Sequence, residues 1–479
     1  MHIGIDIGTS SVKAVLLDDA EKLRAEASAE LSVMRPQPGW SEQDPDAWIA
    51  ASEAVLAQLA AQHDLSAVRG LGLSGQMHGA TCLDRHYKPL RPAILWNDTR
   101  AATEAATLDR DPQFREISGN IVFPGFTAPK LAWLKAQEPQ LFAQLNLVLL
   151  PKDYVRLWLT GEAISDYSDA AGTAWLDTAK RDWSKALLTA TQLTSDQMPK
   201  LVEGSAASAN IRPAIAARFG LPKTLVVAGG AGDNAASAIG LGVVNEGDAF
   251  VSLGTSGVIF AATQSYRPQA QSALHCFCHA IPERWHQMGV MLACTDALNW
   301  FASLVNQPVV DLIERLGAVP EQGSDLLFLP YLGGERTPHN DAGLRGGFVG
   351  LSHETDLRRA TQSILEGLSF ALRDNLEVLR SAGTNPGQLL AVGGGARSDF
   401  WLELLASTLG VPIARPQDSA LGAALGAARL GRLATNPDAD LNDFKPKIER
   451  LFEPKADLQA SLEAGYRRFR EAYAGFRTL

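Results

Sequence analysis

The chain repeats one short pattern: Ile5-Asp6-Ile7-Gly8-Thr9-Ser10-Ser11-Val12 returns as Val251-Ser252-Leu253-Gly254-Thr255-Ser256-Gly257-Val258, just past the midpoint of 479 residues. An apolar strand that ends in a Gly-Thr-Ser turn and feeds a second strand offers backbone N–H groups and hydroxyls at the turn. Two such copies half a chain apart predict two similar domains facing each other across a shared anion, and a nucleotide's phosphate chain is the natural candidate. The copies differ at one telling position, Asp6 against Ser252. A carboxylate beside a phosphate loop calls for a cation, so the first copy is read as the magnesium side.

Length agrees with a doubled architecture, because single cores stop growing well below this size. The expected division is 1–244 and 245–479. A formal net charge of −10 argues against nucleic acid or an anionic membrane surface as partner, since both demand excess Lys and Arg. No apolar run reaches the length of a spanning helix, and Met1-His2-Ile3-Gly4-Ile5 leads straight into the motif without the charged and apolar regions of a leader. Four cysteines in so long a chain are not a disulfide framework, so the expected location is cytoplasmic.

The first thirty residues read as three strands, His2 to Ile7, Val12 to Leu17 and about Ala25 to Val33. Asp44 as cap, Pro45 at the first helical position and Trp48, Ser52, Val55, Leu56 and Leu59 on one stripe predict a helix. A strand over Val68 to Ser74 and a hairpin-like stretch around Ala80 to Leu95 follow. Leu225 to Ala228 reads as the last strand of the first domain, ending at Gly232-Asp233-Asn234, with a small-residue helix from Ala235 to Gly240. Its counterpart near the other end is Leu389 to Val392 with Gly393-Gly394-Gly395, then a small-residue helix from Leu421 to Ala428. Such helices approach one another closely, as a hinge requires. This order of meander, helix and strand matches the ribonuclease H-like core of sugar kinases, actin and heat-shock chaperones. Residues 100 to 220 have no counterpart and read as an insertion in the first domain; about Asp457 to Phe476 reads as an amphipathic helix.

The chemistry follows from residue types at strand ends. No Walker motif, H-R-D or D-F-G is present, so a phosphotransferase of this sequence is neither a P-loop enzyme nor a protein kinase. Asp233 opens a helix, where a capping position favours its ionised form; an N-cap and a base that takes a proton from a sugar hydroxyl are both open readings. Asn234 carries the donors and acceptor that orient a polyol. Gly393-Gly394-Gly395 lets a flat ligand approach the backbone, or is a plain loop. Ser74-Gly75-Gln76-Met77-His78-Gly79 offers amides and an imidazole. His275-Cys276-Phe277-Cys278-His279 reads as a buried strand with cysteines and histidines on opposite faces, because a zinc site needs a second distant pair.

Taken together, Gly4 to Ser10, Trp40 to Pro45, Gly75 to Gly79, Leu95 to Asp98 with Arg100, Phe126 to Leu134, Gly232 to Asn234, Leu253 to Gly257, Gly334 to Pro338 and Gly393 to Arg397 resemble the FGGY family of carbohydrate kinases over nearly the whole length. The resemblance implies an α/β fold of two ribonuclease H-like domains with the active site in the cleft between them, the sugar mainly on the first and ATP mainly on the second. It implies Asp233 as general base, Asp6 as a catalytic residue beside Mg²⁺, and Met77, His78, Asp233 and Asn234 against the sugar. Gly8, Thr9, Gly254, Thr255, Ser256 and Gly257 would cradle the phosphates, and Gly394, Gly395 and Ala396 would back the adenosine. The Met-His-Gly tripeptide points to D-xylulose, with ribulose or arabitol, or an ATP-switched chaperone or filament protein, as alternatives. A homodimer is implied by family habit only. Trp96, Arg100 and Glu335 lie in family motifs without an assigned role.

Overall fold

Each copy of the repeat seeds its own sheet. In the computed structural model, which describes residues 1–320, 322–417 and 422–476, the first sheet contains β1 (His2–Ile7), β2 (Ser11–Leu17), β3 (Leu23–Glu30), β4 (Gly70–Gly75), β5 (Ala207–Asn210) and β6 (Val226–Ala228). Its order is β5-β6-β4-β1-β2-β3, with Ala231–Gly232 as a further short strand on β4. The second sheet contains β7 (Ala249–Leu253), β8 (Gly257–Thr263), β9 (His275–Cys278), β10 (Trp285–Met291), β11 (Leu389–Val392), β12 (Ile413–Pro416) and β13 (Ile448–Phe452), in the order β9-β10-β8-β7-β11-β12-β13. In each, the repeated strand pairs antiparallel with the strand after its turn and parallel with a later strand that ends in a functional loop. This is the two-domain α/β architecture expected from the resemblance.

The two hairpins are not identical. Ile7 faces Val12 across the first turn, whereas Leu253, at the equivalent place, faces Gly257, so the second turn is one residue tighter. Local signals gave the elements well. Helix α1 (Pro45–Gln62) starts at the Asp44 cap and buries Trp48, Ser52, Val55, Leu56 and Leu59. The stretch from Ala80 to Leu95 does fold back on itself, but Thr81–Leu83 also pairs with Leu147–Leu149, and Ala93–Ile94 with Glu42–Gln43.

The small-residue helices are α2 (Asp233–Gly240) and α3 (Gly422–Thr435); Leu421, where the second was expected to begin, lies outside the described residues. Although α3 follows β12 of the second sheet, it lies on β1, β4 and α2 of the first. Contact is backbone to backbone. A Cβ added at Gly4 would sit 2.0 Å from the Ala424 carbonyl oxygen, one at Gly72 1.9 Å from that of Ala427, and one at Gly426 1.7 Å from that of Ala236. Arg429 and Arg432 then fix α3 laterally, each reaching Glu21 in the β2–β3 turn at 2.7 Å.

The unrepeated segment of the first half does more than enlarge one domain. Asn120 exchanges two 3.0 Å hydrogen bonds with the backbone of Cys276 on edge strand β9, and the Trp285 indole donates to the Thr178 carbonyl at 2.9 Å. A continuous apolar cluster runs from Met77 and Phe126 to Phe250, Phe277 and Val290, so the halves share a core. The chain's last described helix, α4 (Ala456–Phe476), buries Leu458, Leu462, Tyr466 and Phe469.

The seam gives a direct test. Gly426→Ala places a methyl group where only backbone fits, and is expected to destabilise the protein by about 1–3 kcal/mol or more in thermal or urea unfolding. Gly387→Ala, whose added Cβ meets nothing within 4 Å, is expected to be neutral.

Candidate active site

Asp6 is the penultimate residue of β1, and Asp233 is the first residue of α2, reached through the short strand paired to β4. Neighbouring parallel strands therefore deliver both carboxylates to the same sheet edge. The Ser74 hydroxyl, on β4 directly opposite Asp6, donates to it at 3.0 Å. Asp233 accepts from the amide and the side-chain nitrogen of Asn234 at 2.7 and 2.9 Å. Asn234 thus orients Asp233, a use of its donor that the polyol reading did not foresee.

Asp233 is not the N-cap; Gly232 is, and no side chain caps the helix. Nor is its charged form favoured as a capping position would imply. Burial, with the Asp6 charge second, raises the Asp233 carboxyl to about 7, and the Asn234 hydrogen bonds offset this only in part. Burial raises Asp6 as well. Desolvation and like charge outweigh the helix terminus here.

Met77 and His78 follow the end of β4. Both pack closely on glycines: an added Cβ at Gly172 would fall 2.5 Å from the His78 ring, and one at Gly232 2.8 Å from the Met77 side chain. His78 Nδ1 lies 2.6 Å from the Gly172 carbonyl, which can only accept, so Nδ1 carries the proton. Burial, then the Lys130 charge, lower its pKa to about 3. The imidazole is therefore neutral with Nε2 as a lone-pair acceptor, stacked on Phe126 at 4.7 Å. Lys130 holds this turn, donating to the carbonyls of His78 and Gly125 at 2.8 and 2.7 Å.

In the first Gly-Thr-Ser turn the Thr9 hydroxyl is already engaged, donating to Gln76 at 2.9 Å and accepting from the Trp96 indole at 3.1 Å. Gln43 bonds the Thr9 carbonyl at 2.7 Å and is itself held by Gln76 and Trp48. What remains open among the described residues are the amides of Thr9 and Ser10; that of Gly8 closes the turn onto Ser11. In the second turn, Thr295 and Cys294 amides bond the carbonyls of Gly254 and Thr255 at 2.9 and 2.8 Å, leaving the amides of Gly254, Thr255 and Ser256 open. Gly393 to Gly395 lie against its base, since added Cβ atoms at Gly393 and Gly395 would meet Leu253 at 2.8 Å. Gly394 faces open space, and Ala396 is buried behind it.

The site residues thus form two groups. Asp6, Gly8, Thr9, Met77, His78, Asp233 and Asn234 gather on the first sheet, and Gly254 to Gly257 with Gly394 to Ala396 on the second. Among the described residues no hydrogen bond or ring contact joins the turn at Gly8–Thr9 to that at Gly254–Gly257.

Sequence reasoning missed two supports. Fully buried Lys152 lies 2.5, 2.8 and 3.0 Å from Asp153, Asp166 and Asp169, and Ser168, bonded to Asp166, accepts the Gly232 amide at 3.2 Å, fixing the turn into Asp233. No local pattern announces this cluster. The motifs around Trp40 and Arg100 form a brace: the Arg100 guanidinium lies 3.5 Å over Trp40 and pairs with Glu42 and Asp98, both at 2.7 Å. Glu335, left without a role, accepts the Leu292 amide at 2.9 Å, two residues before the segment that grips the second turn.

The raised Asp233 carboxyl has a sign-definite consequence. Its ionised form is disfavoured in the fold, so stability is unimpaired below the unfolded value near 4 and falls as pH rises through 7. Asp233→Asn is therefore expected to unfold later than wild type by about 1–3 kcal/mol at pH 8, the gap closing near pH 4 in paired melting curves.

Comparison with known proteins adds to this geometry. Residues 1–240 match the N-terminal domain, and residues 249–435 the C-terminal domain, of the FGGY family of carbohydrate kinases. The chain is 46% identical to a xylulose kinase of Escherichia coli (strain K12) over 477 residues, 99% of this chain and 98% of the relative. It is 36% identical to a xylulose kinase of Bacillus subtilis (strain 168), covering 95% and 93%. A solved structure described as a xyloylose kinase from Brucella ovis superposes with a TM-score of 0.98 at 53% identity, covering 100% of this chain and 99% of that one. A Plasmodium falciparum glycerol kinase with ADP shares the fold, with a TM-score of 0.90 at 17% identity over 99% and 97%.

Proposed function

The chain belongs to the FGGY family of carbohydrate kinases, and from that premise we propose that it transfers the γ-phosphoryl group of ATP to the terminal hydroxyl of D-xylulose, giving D-xylulose 5-phosphate. The chemistry rests on one observation above all. Asp233 is a carboxyl titrating near neutrality, held by Asn234 beside Asp6 at the mouth of the sheet. A base poised near the working pH takes the hydroxyl proton as oxygen attacks phosphorus, which is worth roughly 10²- to 10⁴-fold in rate. The choice of xylulose is supported by full-length relatives of that name and by the Met77-His78 pair beside Asp233.

In this reading neutral His78 accepts a sugar hydroxyl at Nε2, Met77 packs on the carbon skeleton, and Asn234 sets the Asp233 rotamer. The open amides of the turns at Gly8–Thr9 and Gly254–Gly257 cradle the phosphates and spread the transferred charge. Gly394, Gly395 and Ala396 offer a bare surface to the adenosine. A divalent cation such as Mg²⁺ fits the donors present: one Asp6 oxygen bonds Ser74, while the other has no protein donor among the described residues. Asp6 would hold it, and it would neutralise phosphate charge. Domain boundaries at 1–244 and 245–479 belong to the same reading. The four cysteines, all buried and unpaired, support a cytoplasmic setting.

A coupled ADP-release assay over a panel of ketoses and polyols tests the proposal. D-xylulose is expected to give the highest kcat/KM; preference for ribulose or arabitol overturns the substrate, and sugar-independent turnover throughout overturns the kinase. With D-xylulose, kcat/KM is expected to fall about tenfold per pH unit below pH 7 as Asp233 is protonated, and to level above it. Asp233→Ala should lower kcat by at least 10²-fold while the KM for ATP stays within about twofold.

A further inference from the structure

The ring cluster around His78 is finished by the second half of the chain. Arg336, in the Gly334 to Pro338 motif, places its guanidinium 4.6 Å over the ring of Phe123, which belongs to the first half. It approaches Nε2 of His275 on edge strand β9 at 3.4 Å. His275 in turn lies 5.3 Å from Phe123 and 5.8 Å from Phe126, the ring on which His78 stacks. Among the described residues no carboxylate lies within ion-pair distance of Arg336, and its only side-chain hydrogen bond is the one to His275. Of its side-chain nitrogens none is sealed without a partner. By contrast, Arg100 and Arg91 are each paired with carboxylates. Arg336 is half-buried, and its remaining donors are open to a ligand.

The Arg336 charge depresses His78 and His275. Through His275 and Phe126, Arg336 sits on the His78 side of the site, whereas Asp233 opens α2. An acyclic pentulose whose C5 hydroxyl meets Asp233 brings its C1 hydroxyl and C2 carbonyl oxygens to the other end, and both can accept from a guanidinium.

We infer that Arg336 is a specificity-determining residue that donates from the second half of the chain to the carbonyl-end oxygens of the bound ketose. This rests on the sugar-kinase reading, and it adds a further consequence. Glu335, the preceding residue, holds the Leu292 amide of the segment that grips the turn at Gly254 and Thr255. One dipeptide therefore touches the sugar end with one side chain and steadies the nucleotide turn with the other.

Arg336→Gln and Arg336→Lys test the inference. Loss of a charged hydrogen bond to substrate is expected to raise the KM for D-xylulose roughly 10- to 100-fold. The KM for ATP and the melting temperature should stay at wild-type values. The variants should also lose discrimination against 1-deoxy-D-xylulose, because the group that reads the missing oxygen is gone. An unchanged sugar KM, or an equal rise in both KM values, overturns the role. Should wild type prefer another sugar of the panel, the comparison is made on that sugar, so failure of the xylulose assignment and failure of the Arg336 role remain distinguishable.

Discussion

Everything in this molecule is arranged around a seam in which backbone meets backbone. The helix Gly422–Thr435 lies on the first sheet so closely that Gly4, Gly72 and Gly426 have no room for a methyl group. That contact carries a chain segment from the second sheet back to the first, and the same sheet edge presents Asp6 and, through the helix it touches, Asp233. Large side chains would widen the gap and shift Asp233 relative to Asp6. Small residues at this seam therefore bear on the placement of Asp233 as well as on the core.

Against this rigid seam the site is built from groups held slightly against their preference. Two carboxylates share a desolvated edge, an imidazole is kept neutral by burial and by Lys130, and Lys152 is enclosed among three aspartates. Each is tolerable because its partners are fixed from behind: Ser74 on Asp6, Asn234 on Asp233, Gly172 on His78, and Ser168 on the Gly232 amide.

Much of this was legible in the sequence where the cause is local. The Asp44 cap and the period of Trp48, Ser52, Val55 and Leu59 specify a helix on their own, and the repeated turn marks both central strands. The polar character of Gly232-Asp233-Asn234 likewise marks a strand-to-helix turn. What the sequence could not show depends on distant partners. Asp233 reads as a favourably placed helix cap until the Asp6 charge and burial are known, and then its pKa moves the opposite way. Trp96 and Arg100 read as motif residues; their work is to hold Thr9 and to brace Glu42 and Asp98. The lysine–aspartate cluster draws on residues 152 to 169, whose spacing follows no helical or strand period.

The repeat itself acquires a different meaning in three dimensions. Its copies are off by one residue in pairing, and the hydroxyl of the first turn is consumed by Gln76 and Trp96, so equivalent side chains are not what they share. They share a treatment of the backbone. In the first turn Gln76, Gln43 and the Leu31 amide occupy the carbonyls of Gly8, Thr9 and Ser10. In the second, the amides of Cys294 and Thr295 do the same for Thr255 and Gly254. Occupied carbonyls hold the peptide planes so that the remaining N–H groups have no acceptor within the protein, which is the condition for an anion to be bound by backbone alone. Since different side chains meet that condition in each half, the pattern that survives duplication is the glycine and the turn, while Asp6 and Ser252 are free to differ. The asymmetry between carboxylate and hydroxyl leaves the buried acid, Asp6 with its Ser74 partner, on the first sheet alone.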